Sequence, residues 1–279
     1  MCRYLIFGNG YLGNRFDNFL QDSTISCSRI NAIDDIFTQI EEYNPEIVIN
    51  GVGKTGRPNI DWCEEHKDET FFSNVTVPSL MAEACAETET YMAHIGSGCV
   101  YETNRCSGIG FSENDKPNFK GSFYSRTKIF AENILSEYDN ILQLRIRMPI
   151  DNIPSPRNLI DKLIGYKKVI NVPNSITYIP DFITVAKKLM DMHETGIFNV
   201  VNTGAITHKE ILEMYQQIVD PDYIMAEFIP VEKLDTIAGR SNCILYPTRL
   251  EGKGIKIRHV LDAVEECMKG YAKQSGRSV

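Results

Sequence analysis

Near its start the chain reads Arg3-Tyr-Leu-Ile-Phe-Gly-Asn-Gly-Tyr-Leu-Gly13, an apolar run that passes directly into three spaced glycines. The apolar run has the length and composition of a buried strand. The residues after it place Leu12, Phe16, Phe19 and Leu20 on one face of a helix. A strand, a glycine turn and a helix in this order form the first half of a βαβ unit. The segment therefore predicts an α/β fold with a parallel sheet.

The same alternation continues to about residue 150. Amphipathic helices separate the further predicted strands, which are Thr24 to Cys27, Ile47 to Asn50, Tyr91 to Ile95 and Ile141 to Arg147. This pattern indicates a doubly wound parallel sheet of the Rossmann type over residues 1–150. Prolines interrupt shorter elements after Pro149, which predicts a smaller α/β C-terminal substrate region over residues 151–279. No linker separates the two regions, so part of the second can rejoin the main sheet.

Composition excludes several classes of protein. The 279 residues are 43% hydrophobic and 24% charged, which is typical of a folded globular chain. A net charge of −8 without a basic cluster argues against nucleic-acid binding, and the apolar runs are far shorter than the roughly 18 residues of a membrane span. The eight cysteines and five histidines lack metal-site spacing, so we expect no metal. Scattered thiols fit a reducing, cytoplasmic location.

The three glycines have the spacing of a dinucleotide-binding loop. Gly8-x-Gly10-x-x-Gly13 lies between a strand and a helix, where glycines let the backbone approach a pyrophosphate and leave helix amides to face its charge. A plain strand-to-helix turn is the alternative. After the second strand the chain presents Arg29 where a site for NAD usually has an acid, which favours NADPH. The alternative for Arg29 is a solvated surface charge.

A candidate catalytic group lies further along the chain. Tyr124-Ser-Arg-Thr-Lys128 places a phenol and an ammonium one helical turn apart, and we expect the cation to lower the pKa of the tyrosine. Ser97 follows the fourth strand at the sheet edge where open α/β folds bind ligands. The Tyr-Lys pair alone can occur by chance on a solvated helix. Together with the glycine loop and Ser97, it resembles the extended, sugar-nucleotide branch of the short-chain dehydrogenase/reductases.

A more specific resemblance begins in Thr55-Gly-Arg-Pro-Asn-Ile-Asp-Trp-Cys-Glu64. This segment is similar to one in the plant-type nucleotide-rhamnose synthases, which are bifunctional 3,5-epimerase/4-reductases. The resemblance covers most of residues 1–245. Further similar segments are Gly108-Ile-Gly-Phe111, Asp115-Lys-Pro-Asn-Phe119, Gly121-Ser-Phe-Tyr-Ser125, Arg147-Met-Pro149, Pro156-Arg-Asn158 and Ile211-Leu-Glu-Met-Tyr215.

The resemblance implies conversion of UDP-4-keto-6-deoxy-D-glucose to UDP-L-rhamnose with NADPH as reductant. A C4 ketone acidifies the protons on C3 and C5, and inversion needs one group to remove a proton and another to return it on the opposite face. In the family these groups are a cysteine and a lysine, which match Cys99 and Lys162. Cys99 is two residues after Ser97, on the same side of an extended chain. Without the resemblance, Cys99 reads as a small buried hydrophobe and Lys162 as a solvated charge.

The reduction is expected to follow the epimerisation. Tyr124 would give its proton to the C4 oxygen, Ser97 would steady that oxygen, and Lys128 would hold the phenol and the nicotinamide ribose. The motif and the resemblance predict cofactor contacts from Gly8, Asn9, Gly10, Tyr11, Leu12, Gly13, Arg29, Asn50, Gly51, Val52, Tyr124, Lys128, Met148 and Pro149. Substrate contacts are expected from Arg57, Asn59, Ser97, Asn158, Arg240 and Asn242, since guanidinium groups bind phosphate oxygens. An ordinary surface turn is the alternative for Arg240-Ser-Asn242.

Two other functions remain open. The chain could be only a 4-ketosugar-nucleotide reductase, similar to dTDP-4-dehydrorhamnose reductase, or only an epimerase. It could also be a noncatalytic, nucleotide-binding regulatory subunit, although Ser97, Tyr124 and Lys128 count against that. We expect a nucleotide-sugar substrate and a separate 4,6-dehydratase as its supplier, with no nucleic-acid or membrane partner. A homodimer is consistent with the fold, but neither the oligomeric state nor the choice between UDP and dTDP follows from the sequence.

Overall fold

The computed structural model describes residues 2–102 and 110–276. Gly108 and Ile109, which belong to one of the similar segments, lie outside the described residues. A six-stranded parallel sheet is the centre of the fold, with spatial order β2-β1-β3-β4-β5-β9. These strands are β1 (Tyr4–Phe7), β2 (Ser23–Ser26), β3 (Ile47–Asn50), β4 (Tyr91–Ser97), β5 (Ile141–Ile146) and β9 (Gly196–Asn199). The prediction of a doubly wound α/β fold is confirmed.

Helices cover both faces of this sheet. Their bounds are α1 (Tyr11–Asp17), α2 (Ile33–Tyr43), α3 (Trp62–Glu65), α4 (Lys67–Phe71), α5 (Val77–Glu87), α6 (Phe123–Leu135), α7 (Leu159–Gly165), α8 (Ile179–Asp191), α9 (His208–Ile218), α10 (Thr248–Gly252) and α11 (Val260–Ser275). A π-helical turn, Phe72–Thr76, joins α4 to α5, and a 3₁₀ turn spans Val231–Lys233. Within the two described ranges, no helix combines the length and apolarity needed to cross a membrane.

The sheet is buried on both faces because consecutive strand residues point in opposite directions. Ile6 of β1 packs with Phe16 of α1 and Phe182 of α8 on one face. Phe7, the next residue, packs with Met81 of α5 on the other. This two-sided burial explains why the central strands read as continuous apolar runs.

The topology places a crevice at the carboxyl ends of β1 and β3. From β1 the chain moves outward to β2 and then returns to β3 on the opposite side of β1. The connections therefore leave in opposite directions at this point, and open α/β sheets bind ligands there. The glycine loop after β1 and Gly51 after β3 both lie at this edge.

The chain beyond residue 150 contributes to two cores. Helix α8 and strand β9 return to the main sheet. Two small parallel pairs form from β6 (Pro149–Ile150) with β8 (Thr177–Tyr178) and from β7 (Lys168–Ile170) with β10 (Glu227–Ile229). Helices α7, α9 and α11 pack beside them around a separate apolar cluster. Helix α9 begins with a reciprocal capping box, in which Thr207 Oγ1 accepts from the Glu210 N–H and Glu210 Oε2 accepts from the Thr207 N–H.

Candidate active site

The loop between β1 and α1 needs its glycines for three different reasons. Gly8 has a φ of 105°, and a Cβ there would lie 2.7 Å from the carbonyl carbon of Gly51. A Cβ on Gly13 would lie 2.0 Å from the Gly8 oxygen, so the helix could not pack against the strand. Gly10 instead has open space where a Cβ would be, and no side chain caps the helix that it begins. The loop therefore fits the close approach of a pyrophosphate to the backbone.

A cleft of about 430 Å³ continues from this loop along the end of β2. Asn9, the segment Ser26 to Ile30 and Val52 contribute to its walls. Arg29 is exposed at this cleft, and in the described residues its guanidinium has no hydrogen-bond or ion-pair partner. This location fits the expected role of Arg29 in binding the cofactor, which stays a prediction.

A second cleft, of about 640 Å³, joins the Rossmann sheet to the C-terminal region. All five predicted catalytic residues line it, namely Ser97, Cys99, Tyr124, Lys128 and Lys162. Among the predicted cofactor residues, this cleft is also lined by Gly10, Tyr11, Leu12, Gly51, Val52, Met148 and Pro149. The five predicted catalytic residues thus meet in one cleft, although the first and the last of them, Ser97 and Lys162, are 65 positions apart in the sequence.

Helix α6 positions Tyr124 and Lys128. Its N-cap is Ser122, whose Oγ accepts a hydrogen bond from the Ser125 N–H at 3.1 Å. Glu64 Oε1 accepts from the Phe123 N–H at 2.5 Å, so the first turn of the helix is held from two sides. Tyr124 and Lys128 are each only 7% exposed, one turn apart on the helix face that lines the cleft.

The electrostatics of Tyr124 differ from the expectation. Burial raises the pKa of Tyr124 well above its usual value, the neighbouring Cys99 raises it further, and a hydrogen bond with Ser97 lowers it less. Burial also lowers the pKa of Lys128 to about 8. The expected lowering of the tyrosine pKa by Lys128 is therefore wrong for this site, because burial penalises the phenolate. Tyr124 is a phenol at neutral pH, which is the form that can donate a proton.

Cys99 lies in a turn rather than in the extended chain that the sequence predicted. Ser97 Oγ accepts from the Cys99 N–H at 3.1 Å, and Ser125 Oγ donates to the Cys99 carbonyl at 2.6 Å. The thiol accepts a hydrogen bond from Arg147 Nη1, with a nitrogen-to-sulfur distance of 2.6 Å. Sequence reasoning assigned no role to Arg147. A basic residue directly after a buried strand, in Arg147-Met-Pro149, was the signal that could have found it.

Lys162 reaches the same cleft from α7. Burial lowers its pKa, and the nearby Arg157 lowers it further. Arg157 is itself held by the loop after β3, since its Nη1 donates to the Gly56 carbonyl at 2.9 Å and to Thr55 Oγ1 at 3.0 Å. The lysine therefore lies in a positively charged, partly dehydrated wall, where its proton is easier to release than in water.

Four predicted substrate ligands besides Ser97 line the cleft, namely Arg57, Asn59, Arg240 and Asn242. Arg240 is not a free cation, because its Nη1 lies 2.9 Å from Asp61 Oδ1. Asn242 Oδ1 accepts from Asn174 Nδ2, and Asn242 Nδ2 donates to the Arg240 carbonyl. The ion pair and the hydrogen bonds thus hold the side chains of Arg240 and Asn242 in place along this wall of the cleft.

The prediction that Asn158 binds substrate is wrong. Its side chain is fully buried and caps α7, with Oδ1 accepting from the Ile160 N–H at 3.2 Å. Its Nδ2 donates to the carbonyls of Asp151 at 2.7 Å and Ile153 at 3.1 Å, so its donors are used within the fold. An asparagine before an apolar helical run is a common N-cap, and that local signal should have outweighed the similarity.

The side chain of Asn50 is also structural. It is fully buried, and its Oδ1 accepts a hydrogen bond from the Val52 N–H at 3.0 Å. The backbone that it shapes, at Gly51 and Val52, lines the cleft, whereas Asn50 does not. Asn50 therefore holds the turn through Oδ1, whereas its buried Nδ2 has no hydrogen-bond partner among the described residues, and the predicted cofactor contact by Asn50 stays a prediction.

The comparison with protein families matches a segment that contains the first five strands of the main sheet and not β9. Residues 4–150 match the family described as the RmlD substrate binding domain. The chain belongs to this family. In this RmlD-family member, the matched residues contain the glycine loop, Ser97, Cys99, Tyr124 and Lys128, whereas Lys162 lies outside the match.

Curated relatives of this RmlD-family chain occur in Arabidopsis thaliana. A bifunctional dTDP-4-dehydrorhamnose 3,5-epimerase/dTDP-4-dehydrorhamnose reductase is 38% identical over 259 residues, which cover 89% of this chain and 86% of the relative. A trifunctional UDP-glucose 4,6-dehydratase/UDP-4-keto-6-deoxy-D-glucose 3,5-epimerase/UDP-4-keto-L-rhamnose-reductase is 39% identical over 251 residues. The match covers 86% of this chain but only 38% of the trifunctional relative.

Solved structures agree with the fold. The crystal structure of a UDP-rhamnose synthase from Acanthamoeba polyphaga mimivirus superposes with a TM-score of 0.91 at 31% identity, over 96% of this chain and 99% of that one. A dTDP-4-dehydrorhamnose reductase from Bacillus anthracis, in complex with NADP, superposes with a TM-score of 0.83 at 20% identity, over 97% and 99% of the two chains. The second likeness supports the fold alone.

Proposed function

We propose that the chain is a bifunctional 3,5-epimerase/4-reductase that converts UDP-4-keto-6-deoxy-D-glucose to UDP-L-rhamnose with NADPH. One observation carries the proposal: Cys99 and Lys162 line the same cleft as Ser97, Tyr124 and Lys128. A thiol and an amine can serve as the two proton-transfer groups that inversion of a carbon needs, and the other three residues can bind and protonate the ketone oxygen during reduction. The bifunctional relative, similar over 89% of the chain, is named for both activities.

The residues of the two clefts fit a bound NADPH. The loop from Gly8 to Gly13 and the turn at Gly51 would hold the pyrophosphate, with Arg29 near the 2′-phosphate. Lys128 would hold the nicotinamide ribose. When bound, NADPH supplies the hydride that reduces C4.

Epimerisation uses the acidity that the C4 ketone gives to its neighbours. Removal of a proton from C3 or C5 produces an enolate, whose oxygen is stabilised by hydrogen bonds from Ser97 and Tyr124. Cys99 follows β4 and Lys162 lies on α7, so the two groups approach the cleft from different elements. This arrangement supports proton removal on one face of the sugar and proton return on the other.

Reduction takes place after both inversions, because the C3 and C5 protons lose their acidity once C4 is an alcohol. Tyr124 gives its proton to the C4 oxygen as negative charge develops there. Burial raises the pKa of Tyr124, so the phenol retains its proton until that charge appears. Ser97 Oγ accepts the Cys99 N–H and its hydroxyl is hydrogen-bonded to Tyr124, so the serine and the phenol lie side by side where the sugar oxygen would bind.

The ketosugar requires a preceding dehydration. The trifunctional relative is named for a 4,6-dehydratase as well as for the two activities proposed here, and this chain corresponds to 38% of its length. We therefore propose that a 4,6-dehydratase activity outside residues 1–279 supplies the substrate.

The decisive experiment is turnover of purified protein with UDP-4-keto-6-deoxyglucose and NADPH in heavy water. The proposal predicts UDP-rhamnose with deuterium at C3 and C5. Reduced product without deuterium at these carbons would leave only the reductase. The corresponding dTDP substrate is tested in parallel, since the bifunctional relative is named for dTDP compounds and the trifunctional one for UDP compounds.

A further inference from the structure

Arg147 is a buried cation that has no carboxylate partner among residues 2–102 and 110–276. It follows β5 directly and is 2% exposed. Arg145, two residues earlier and equally buried, forms a two-pronged ion pair with Glu132 at 2.6 and 2.7 Å. In the described residues, no carboxylate oxygen pairs with Arg147 in this way. A buried charge without a counter-charge destabilises a fold. Within the part of the chain that the structure describes, Arg145 has a carboxylate as its counter-charge and Arg147 does not, so we expect a different anion beside Arg147.

Three acceptors surround the Arg147 guanidinium. Its Nη1 donates to Cys99 Sγ at 2.6 Å, and its Nη2 donates to Asn174 Oδ1 at 2.7 Å and to the Ser241 carbonyl. Amide and carbonyl oxygens cannot ionise, whereas a thiol can. Of the three acceptors, the sulfur of Cys99 is therefore the only atom able to neutralise the arginine.

We propose that Arg147 is a positioning residue that holds Cys99 as a thiolate aimed into the cleft, so that Cys99 is the base of the epimerisation. This inference rests on the proposed function, which already gives the proton transfers to Cys99 and Lys162, and adds Arg147 as the residue that holds the sulfur. The thiolate takes a proton from the sugar carbon beside the ketone: the C–H bond breaks, its electron pair moves into the enolate, and an S–H bond forms. Lys162 then returns a proton to the opposite face. The thiol and the amine regain their starting forms by exchange with water, which admits deuterium from solvent.

Other titratable groups face Cys99, and none replaces Arg147. Burial lowers the pKa of Lys128 to about 8, so that cation loses its charge as the pH rises through about 8, within the range of the test below. Burial raises the pKa values of Tyr124 and Cys243, so both are neutral there. An arginine retains its charge throughout the working range of an enzyme. Arg147 thus supplies a permanent positive charge in hydrogen-bond contact with the sulfur.

The test measures how fast iodoacetamide alkylates Cys99 in the cofactor-free protein, by mass spectrometry of the individual cysteine peptides from pH 5 to 10. We expect Arg147→Met to slow the reaction at pH 7 about tenfold or more and to move the pH midpoint upward by about one to two units. Arg147→Lys should restore part of the rate. Cys27, which is exposed and lies beyond β2, is the internal reference and should react equally in every variant.

A second variant leaves the arginine in place. Asn174→Asp presents Arg147 with a carboxylate at the position of its present amide partner, so the arginine should be neutralised without the sulfur. Cys99 alkylation should again slow and shift to higher pH. Arg3→Met, which removes an arginine at the opposite edge of the sheet, should leave the profile unchanged. If Arg147→Met does not fold, Asn174→Asp decides the question.

The outcomes separate this inference from the proposed function. Unchanged Cys99 profiles in the folded variants would overturn the role of Arg147, even with deuterium exchange intact in the wild-type protein. Absence of wild-type exchange would instead overturn the proposed epimerase, whatever the alkylation shows. Support for both requires that the pH profile of exchange shift upward in Arg147→Lys together with the alkylation profile.

Discussion

Glu64 Oε1 accepts a hydrogen bond from the backbone N–H of Phe123 at 2.5 Å and thereby fixes the first turn of α6. Glu64 ends the segment Thr55 to Glu64, on which the more specific sequence-based prediction of function rests. The same segment binds the C-terminal region through Asp61, which pairs with Arg240 at 2.9 Å. The similar residues therefore connect the helix that bears Tyr124 to the substrate side of the cleft.

Replacing Glu64 with Leu should destabilise the protein and slow reduction. The change removes a charged acceptor from a helix N-terminus, which is expected to cost about 1–2 kcal/mol in the free energy of unfolding. It should also lower kcat for ketosugar-dependent NADPH oxidation, because Tyr124 is the residue after Phe123. Urea unfolding and steady-state kinetics measure the two effects. Glu64→Gln retains an oxygen acceptor and should recover most of both; equal behaviour of Leu and Gln variants would contradict the positioning role.

Replacing Arg29 with Ala should weaken the selection of NADPH over NADH. A hydrogen bond to a charged group contributes about 1.5–3 kcal/mol, so the KM for NADPH should rise about tenfold or more. The KM for NADH serves as the internal control and should change little, because NADH lacks the 2′-phosphate. A parallel rise of both KM values would mean that Arg29 only supports the loop after β2.

Substitutions of Cys99 and Tyr124 should separate the two reactions. Cys99→Ala removes a proton-transfer group, so exchange of solvent deuterium into the ketosugar should stop while NADPH binding, followed by fluorescence, persists. Tyr124→Phe removes the proton donor for C4, so reduction should fall by about 10²-fold or more with exchange still detectable. Cys2→Ala, which changes a cysteine before β1 at the opposite edge of the sheet, is the matched cysteine control. If deuterium exchange is lost in Tyr124→Phe and persists in Cys99→Ala, then Tyr124 and not Cys99 is the residue that the epimerisation needs.

Reduction should slow as the pH rises through about 8. Burial lowers the pKa of Lys128 to about 8, so the ammonium that holds the phenol and ribose loses its proton in this range. The profile of kcat/KM against pH measures the effect. Lys128→Arg keeps its charge and should flatten the alkaline limb, although at a lower rate. An alkaline limb that persists unchanged in this variant would assign it to another group.

Stability should fall in acid because of His208. Burial lowers the pKa of this histidine from 6.5 to about 4, while its Nδ1 contacts the Ile170 carbonyl. Its neutral form is favoured in the folded state, so its contribution is complete above pH 6.5 and is lost as the pH falls towards 4, by on the order of 3 kcal/mol. Urea unfolding at several pH values should show that the free energy of unfolding falls less in acid for His208→Asn, whose side chain can still donate to the Ile170 carbonyl.

A matched control exists for the histidine experiment. His193 is exposed and has a φ of 50°, a conformation that asparagine also tolerates. His193→Asn should therefore leave the pH dependence of unfolding unchanged. If the free energy of unfolding falls equally in acid for the wild-type protein and for His208→Asn, His208 is not the cause of the decrease.

Local sequence determined the sheet, the glycine loop and several helix starts. Short strands rich in apolar residues and helices with one apolar face reflect the periodicity of the backbone itself. The Gly8-x-Gly10-x-x-Gly13 spacing and the Thr207 capping box likewise involve neighbours in the chain. These features need no knowledge of distant residues, so they could be predicted.

Tertiary structure alone decided the chemistry of the cleft. The pKa of Tyr124 rises because residues from several elements exclude water from it, and no spacing between Tyr124 and Lys128 records that exclusion. The contact of Arg147 with Cys99 joins residues 48 positions apart, after two different strands. The pKa, burial and hydrogen bonding of each side chain depend on contacts with residues that are distant in the sequence. Those contacts form only in the folded chain, so the sequence pattern does not record them.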